Sequence, residues 1–141
     1  IVGDGPEGEN LECLASDIGV DSRIDFDGQL RYDQVLTAYV DADIFIHPGV
    51  WPEPFGRTLL EAMEAGLPVV ATNIGPAEIV PQSELRPAPA DPGALAEAIQ
   101  NAADRPEIGA GNRRYVRDRF TPSKVVSQVL SVYKRAIADT N

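Results

Sequence analysis

Strand-like and helix-like segments alternate along this sequence, which predicts an α/β domain: a Rossmann-like parallel sheet flanked by helices. Two observations carry that expectation. Short apolar runs, Ile44-Phe45-Ile46 and Pro68-Val69-Val70-Ala71-Thr72, are separated by a segment with helical apolar spacing at Leu59, Leu60 and Met63. Glycine- and proline-bearing turns, Gly3-Asp4-Gly5-Pro6, Gly28-Gln29-Leu30, His47-Pro48-Gly49 and Gly75-Pro76, lie at the ends of the strand-like runs. In open parallel sheets ligands bind beyond the carboxyl ends of strands, so these turns mark one functional face.

Taken in order, Ile1-Val2 reads as the end of a strand. Leu11, Leu14, Ala15 and Ile18 then mark a helix that Gly19 is placed to close. Cys13 lies in that amphipathic series and is expected to be a buried structural thiol. Arg23-Ile24-Asp25-Phe26-Asp27 alternates as a short strand should. Val35, Leu36, Tyr39 and Val40 mark a second helix, and Ile44 to Ile46 a buried strand. A helix over about residues 56–65 stops at Gly66, and the next strand runs from Pro68 to Thr72. Ala77 to Val80 fits one helical turn. The proline-rich stretch from Pro81 to Pro89 holds at most a short edge strand near Leu85. Asp91-Pro92 is an N-cap and first-turn pair for a helix bearing Leu95, Ala96 and Ile99. Thr121-Pro122 repeats the device before the stripe Val125, Val126, Val129, Leu130 and Tyr133.

The 141 residues suffice for one domain with a full core and contain no apolar run of membrane-spanning length. No signal peptide is read at the start, and the single cysteine excludes an internal disulfide framework. The expected location is cytoplasmic. Residues 1–100 carry a net charge of −14 and residues 101–141 one of +4, so nucleic acid is not an expected partner. Twelve dispersed aspartates, ten arginines and only two lysines fit a surface kept soluble in high salt, with an ordinary acidic domain as the other reading. The cluster Arg113, Arg114, Arg117 and Arg119 permits peripheral contact with anionic lipid at the inner membrane face. Its helical spacing in an acidic protein favours an intramolecular role or a solvated face.

The most informative stretch is Glu53-Pro54-Phe55-Gly56-Arg57-Thr58-Leu59-Leu60-Glu61. Two carboxylates bracket a Phe-Gly turn that opens a helix, beyond a strand end. Free N–H groups and the helix dipole there favour an anion, and carboxylates accept hydrogen bonds from sugar hydroxyls. Read singly, Arg57 and Glu61 are an exposed i,i+4 pair and Glu53 a solvated acid; together they indicate a ligand site. His47 is the only histidine, which excludes a multi-histidine metal site. At a strand end it is either a structural cap or a pocket wall, and Trp51 either walls the pocket or packs under the loop. The triplets Asp25-Phe26-Asp27 and Asp41-Ala42-Asp43 read as solvated edges, and Gly3-Asp4-Gly5-Pro6 as a tight turn without a phosphate-binding fingerprint. No metal and no cofactor are expected.

These segments, in this order, resemble the C-terminal nucleotide-sugar-binding domain of group 1 (family 4) retaining glycosyltransferases of the GT-B fold. The resemblance rests on Ile1 to Pro6, Ile24 to Gly28, Ala42 to Pro48, Pro68 to Thr72 and Glu78-Ile79-Val80. It rests above all on Glu53 and Glu61 with seven residues between them. It implies that residues 1–141 form the donor-sugar-nucleotide domain, truncated at its N-terminus and lacking the first strand of the sheet. It further implies that Glu61 accepts hydrogen bonds from the nucleotide ribose, and that Glu53 contacts donor-sugar hydroxyls beside the reacting centre. The N–H groups of Phe55, Gly56, Arg57 and Thr58 would cradle the distal phosphate, and Leu30 would line the base pocket. The partners implied are a nucleotide-diphosphate sugar and a sugar or lipid-linked acceptor held by an N-terminal domain. Catalysis would be electrostatic and metal-independent, with retention of configuration.

The sequence departs from the family pattern at Gly49, where serine is usual, and at Pro76, where a second glycine is usual. The family's diphosphate-clamping Arg and Lys lie upstream of Ile1, so this stretch is expected neither to transfer sugar alone nor to fold with full stability. A degenerate half serving as a binding or assembly module is the alternative. A two-domain epimerase is disfavoured by the single histidine. A receiver-like signalling domain leaves the Glu53–Glu61 helix unexplained.

Overall fold

The computed structural model describes residues 1–52 and 54–138, with the backbone but not the side chain of Pro76. It divides into two compact units, Ile1–Asp41 and Ala42–Asn141.

The first unit holds α1 (Gly8–Asp17) and α2 (Tyr32–Asp41). Ile1 to Gly3 runs parallel to Asp25 to Gly28. The Asp27 N–H donates to the Ile1 carbonyl at 2.9 Å and the Gly3 N–H to the Gly28 carbonyl at 2.8 Å. The strand expected over Arg23–Asp27 is not formed. Asp21–Arg23 is a 3-10 turn, and pairing with Ile1-Val2 yields one bridge, Val2 to Gly28. Alternation alone makes no strand when the partner offers so few residues for a ladder. Helix α1 ends as expected, with the Gly19 N–H on the Ser16 carbonyl at 3.0 Å. Its only buried residue is Ala15; Leu11, Leu14 and Ile18 are exposed. Cys13, beside that uncovered stripe, is therefore a free, exposed thiol rather than the buried one expected.

The second unit contains β1 (Phe45–His47), α3 (Arg57–Ala65), β2 (Val69–Ala71), α4 (Pro92–Ala103), α5 (Ile108–Arg119) and α6 (Pro122–Ala138). The strands pair in parallel, with Phe45 opposite Val69, Ile46 opposite Val70 and His47 opposite Ala71. Every residue of β2 is buried, as an apolar strand covered on both faces should be, whereas Ile46 of β1 stays exposed. The core joins Leu59, Ala62 and Met63 of α3 to Val69 and Val70, and adds Val80, Leu85, Ala98 and Ala102. Fully burying each large aliphatic side chain contributes roughly 1.5–3 kcal/mol.

The N-cap device at Asp91 forms as read: its carboxylate accepts from the Ala94 N–H at 2.9 Å, with Pro92 in the first turn. No strand forms near Leu85. Ser83–Leu85 is a 3-10 turn whose Leu85 fills the core beside α4, and a segment anchored by one buried side chain needs no ladder. Gly75–Ile79 is likewise a 3-10 helix, starting slightly earlier than the turn expected at Ala77. Helix α5 is announced in the sequence only by its arginine spacing. The stripe of α6, Val125, Val126, Val129, Leu130 and Tyr133, is exposed along its whole length.

Glu84 is tied to Arg105 at 2.9 Å. Its own backbone N–H, and then Arg105, hold its carboxyl below the usual 4.5. A lowered folded-state pKa gives stability that is present above the unfolded value and lost as pH falls through the folded one. Glu84→Gln should therefore be less stable than the parent at pH 7, by under about 1 kcal/mol because the pair is solvated. That gap should close in urea melts run progressively below pH 4.5. A gap that persists unchanged in acid contradicts the assignment.

Candidate functional site

The parallel pair β1 and β2 sends both carboxyl ends to one side, and the loop after β1 leads to the mouth of α3. Thr72, directly after β2, ties that loop down. Its N–H donates to the His47 carbonyl at 3.1 Å and its buried hydroxyl donates to the Gly49 carbonyl. A Cβ at Gly49 would lie 3.1 Å from Cε1 of His47, a tight contact that the ring would have to relieve by a small shift. Trp51 is 77% exposed and does not pack under the loop.

Helix α3 opens on Gly56, whose φ of 72° and ψ of 53° lie in the left-handed region that only glycine adopts freely. Gly56 is buried and carries no side chain to cap the helix. Among the described residues, the first backbone donor satisfied at this end is the Leu59 N–H, on the Gly56 carbonyl at 3.0 Å. The N–H groups of Arg57 and Thr58 precede every intrahelical acceptor, and the dipole adds about half a positive charge there. Arg57 and Thr58 are exposed, as is Phe55. One turn on, Glu61 has a side chain only 22% exposed, and its Oε1 accepts from Nη2 of Arg57 at 3.3 Å. A carboxylate has about four acceptor positions, so this bond leaves capacity for hydroxyl donors.

Phe55, Gly56, Arg57, Thr58 and Glu61 thus come together on the first turns of one helix. Glu53 lies outside the described residues. Leu30 is half-buried just before α2, in the first unit. The Gly3–Pro6 turn lines a cavity of about 420 Å³ with Leu11, Glu12 and Phe26. That cavity includes no motif residue, and its lining has three acids and no basic side chain, which repels a diphosphate. Among the described residues no group of three His, Cys, Asp or Glu side chains is placed to hold a metal.

Gly66 closes α3 where the sequence placed its end, whereas the contacts of Asn112, Arg113 and Arg117 with that turn were not read from the sequence. The Gly66 N–H donates to the Met63 carbonyl at 3.0 Å and the Leu67 N–H to the Ala62 carbonyl at 3.1 Å, which is a Schellman closure. The two remaining C-terminal carbonyls of α3, Glu64 and Ala65, accept from Arg113, whose Nε lies 2.8 Å from the Glu64 oxygen. Arg117 binds the Glu64 carboxylate at 2.8 Å, and Nδ2 of buried Asn112 donates to the Leu67 carbonyl at 2.8 Å. The arginine cluster therefore has intramolecular work at Arg113 and Arg117, while Arg119 stacks over Tyr115 at 4.6 Å. A polar Asn at helical spacing from Gly109 and Val116 was the available signal.

Comparison with known proteins shows the family and the fold. The profile of the family described as glycosyl transferases group 1 matches residues 1–119. The 2-deoxystreptamine glucosyltransferase of Streptomyces kanamyceticus is 29% identical over 147 residues, covering 97% of this chain and 37% of its own length. Sucrose-phosphate synthase from Thermosynechococcus elongatus superposes with a TM-score of 0.80 at 28% identity, over 98% of this chain and 38% of that one. Anabaena HepE, solved in complex with UDP, gives 0.83 at 27% identity, over 95% of this chain and 40% of its own. This chain thus spans well under half the length of these proteins, and its α/β fold is that of the C-terminal half of a GT-B glycosyltransferase. No described helix is long and apolar enough to cross a membrane. The match over residues 1–119 places the chain in the glycosyl transferases group 1 family.

Proposed function

We propose that residues 1–141 are the donor-site domain of an enzyme that transfers a sugar from a nucleotide-diphosphate sugar to an acceptor hydroxyl, retaining the anomeric configuration without a metal. The observation that carries this reading is the mouth of α3: an N-terminus opened by left-handed Gly56, which offers no capping side chain, one turn from a half-buried carboxylate. The distal phosphate binds the N–H groups of Phe55, Gly56, Arg57 and Thr58. Glu61 accepts from the ribose hydroxyls. Glu53, on the strength of the sequence motif, takes the donor-sugar hydroxyls, and Leu30 takes the base.

In the transfer, the bond from the anomeric carbon to the phosphate oxygen breaks and its electron pair stays on the diphosphate. The acceptor oxygen bonds to that carbon on the face the diphosphate leaves, and its proton passes to an oxygen of the departing diphosphate. The charge that develops on the departing diphosphate is met by oriented N–H dipoles and by Arg57, which need no reorganisation at the moment of reaction. Acceptor contacts lie with the part of the protein beyond this chain, and retention follows from the family resemblance.

UDP is the first nucleotide to try, because the similar HepE was solved in complex with it. Calorimetric titration of the full-length protein with UDP, GDP and ADP and their glucose conjugates, at low and molar salt, should give saturable binding of one diphosphate series. Release of that diphosphate should accompany sugar transfer. Absence of binding across the panel at every salt concentration would overturn the proposal.

A further inference from the structure

The face of α5 toward α3 is polar in a way that core packing alone does not require. Gly109, Asn112, Arg113 and Arg117 fall at helical spacing on one face, and each engages the segment from Glu64 to Leu67. Gly109 brings the two backbones together, since a Cβ at that position would lie 1.8 Å from the Gly66 oxygen. Arg113 takes the two α3 carbonyls that the Schellman closure leaves open, and Arg117 takes the Glu64 carboxylate. Asn112 is fully buried, and its Oδ1 has no hydrogen-bond partner among the described residues. A half-satisfied buried amide adds little net stability to a core, although its loss would leave the buried Leu67 carbonyl without this donor, at a cost of about 1–3 kcal/mol. What the amide supplies is direction: Nδ2 reaches only one carbonyl, that of Leu67, and fixes the register of α5 against the turn.

We infer that Asn112, Arg113 and Arg117 are positioning residues for the donor site. They hold the α3–β2 turn in a single register and so set where the mouth of α3 and Glu61 lie. The inference rests on the donor-site reading given above. Helix α3 has nine residues and continues through Gly66 and Leu67 into fully buried β2. A shift at its far end is therefore carried to the mouth as a rigid displacement, because close-packed elements do not absorb such shifts gradually.

The experiment separates position from stability. Asn112→Leu, Arg113→Met, Arg113→Lys and Arg114→Met are made in the full-length protein; Arg114 is an exposed neighbour on the same helix and serves as the charge-matched control. Affinity for UDP and the thermal midpoint are measured separately, with binding read at a temperature where circular dichroism shows each variant fully folded. Asn112→Leu and Arg113→Met should bind UDP about tenfold more weakly while folded, the size expected of a residue acting through a rigid element. Arg113→Lys should recover part of the loss, and Arg114→Met should match the parent. Backbone amide shifts of Phe55 to Thr58 should move in the weak binders and stay in the control. Parent-like UDP affinity in folded Asn112→Leu and Arg113→Met overturns the inference and leaves the donor-site reading intact. A parent that binds no UDP or other nucleoside diphosphate overturns both.

Discussion

Replacing Gly109 by Ala should destabilise the second unit by roughly 3 kcal/mol or more, the upper end of what an overpacked site costs. The methyl group would enter at 1.8 Å from the Gly66 carbonyl oxygen and 2.8 Å from its carbon, and neither atom belongs to a flexible side chain. Relief requires α5 to move off the turn. That movement pulls Asn112 from the Leu67 carbonyl and Arg113 from Glu64 and Ala65, so the clash and the lost hydrogen bonds fall together. Gly111, two residues on in the same helix, is the control: a Cβ there meets nothing within 4 Å. Gly111→Ala should stabilise by about 0.5–1 kcal/mol, because alanine loses less backbone entropy in a helix. Urea unfolding of the two variants should give midpoints on opposite sides of the parent. Equal midpoints would mean that α5 does not meet Gly66 at backbone distance.

Glu61→Ala should lower affinity for the donor nucleotide about a hundredfold while leaving stability within about 0.5 kcal/mol. The small stability term follows from the one partner this carboxylate has among the described residues: Arg57 is 77% exposed, and an exposed i,i+4 pair contributes a few tenths of a kcal/mol. The large binding term follows from its placement. A carboxylate that is 22% exposed makes charge-assisted hydrogen bonds worth about 1.5–3 kcal/mol each, and a ribose presents two hydroxyls to it. Glu61→Gln should lie between, since it keeps one acceptor oxygen and loses the charge. Calorimetry reads the affinities and thermal melts the stability. A variant that loses stability in step with affinity would point to Glu61 as a structural residue.

How much of this was legible depended on what each element uses to hold itself. Strands β1 and β2, and helices α3 and α4, carry apolar periods and terminal signals in their own sequence, with Gly66 and the Asp91-Pro92 pair at their ends. They formed where the residues placed them. Helix α5 escaped notice as an element because its contact surface is an absent side chain at Gly109 and an amide at Asn112, neither of which contributes to an apolar period. Leu85 sits on a 3-10 turn and Val80 directly after one, and there one buried side chain does what a strand would do with several. Cys13 was misjudged because an apolar stripe predicts a face that wants cover, and α1 covers only Ala15.

The motif residues of the site were legible because backbone chemistry dictates them. A turn that opens a helix with free N–H groups can be read from Phe55-Gly56-Arg57, while the left-handed φ of 72° at Gly56 comes from the structure. The supports were not. Thr72 reaches Gly49 and Arg113 reaches Glu64 and Ala65 across long sequence separations, and no local pattern announces such bonds.

On the proposed reading, Glu61 accepts from ribose hydroxyls while the start of α3 holds the phosphate. The most direct measurement is a double cycle by calorimetry: UDP and 2′,3′-dideoxy-UDP, each titrated against the parent and Glu61→Ala. The account predicts that the parent prefers UDP by at least about tenfold, one charge-assisted hydrogen bond's worth, and that the preference vanishes in Glu61→Ala while a weaker diphosphate-dependent affinity remains. Equal discrimination between the two nucleotides with and without the Glu61 carboxylate would contradict it.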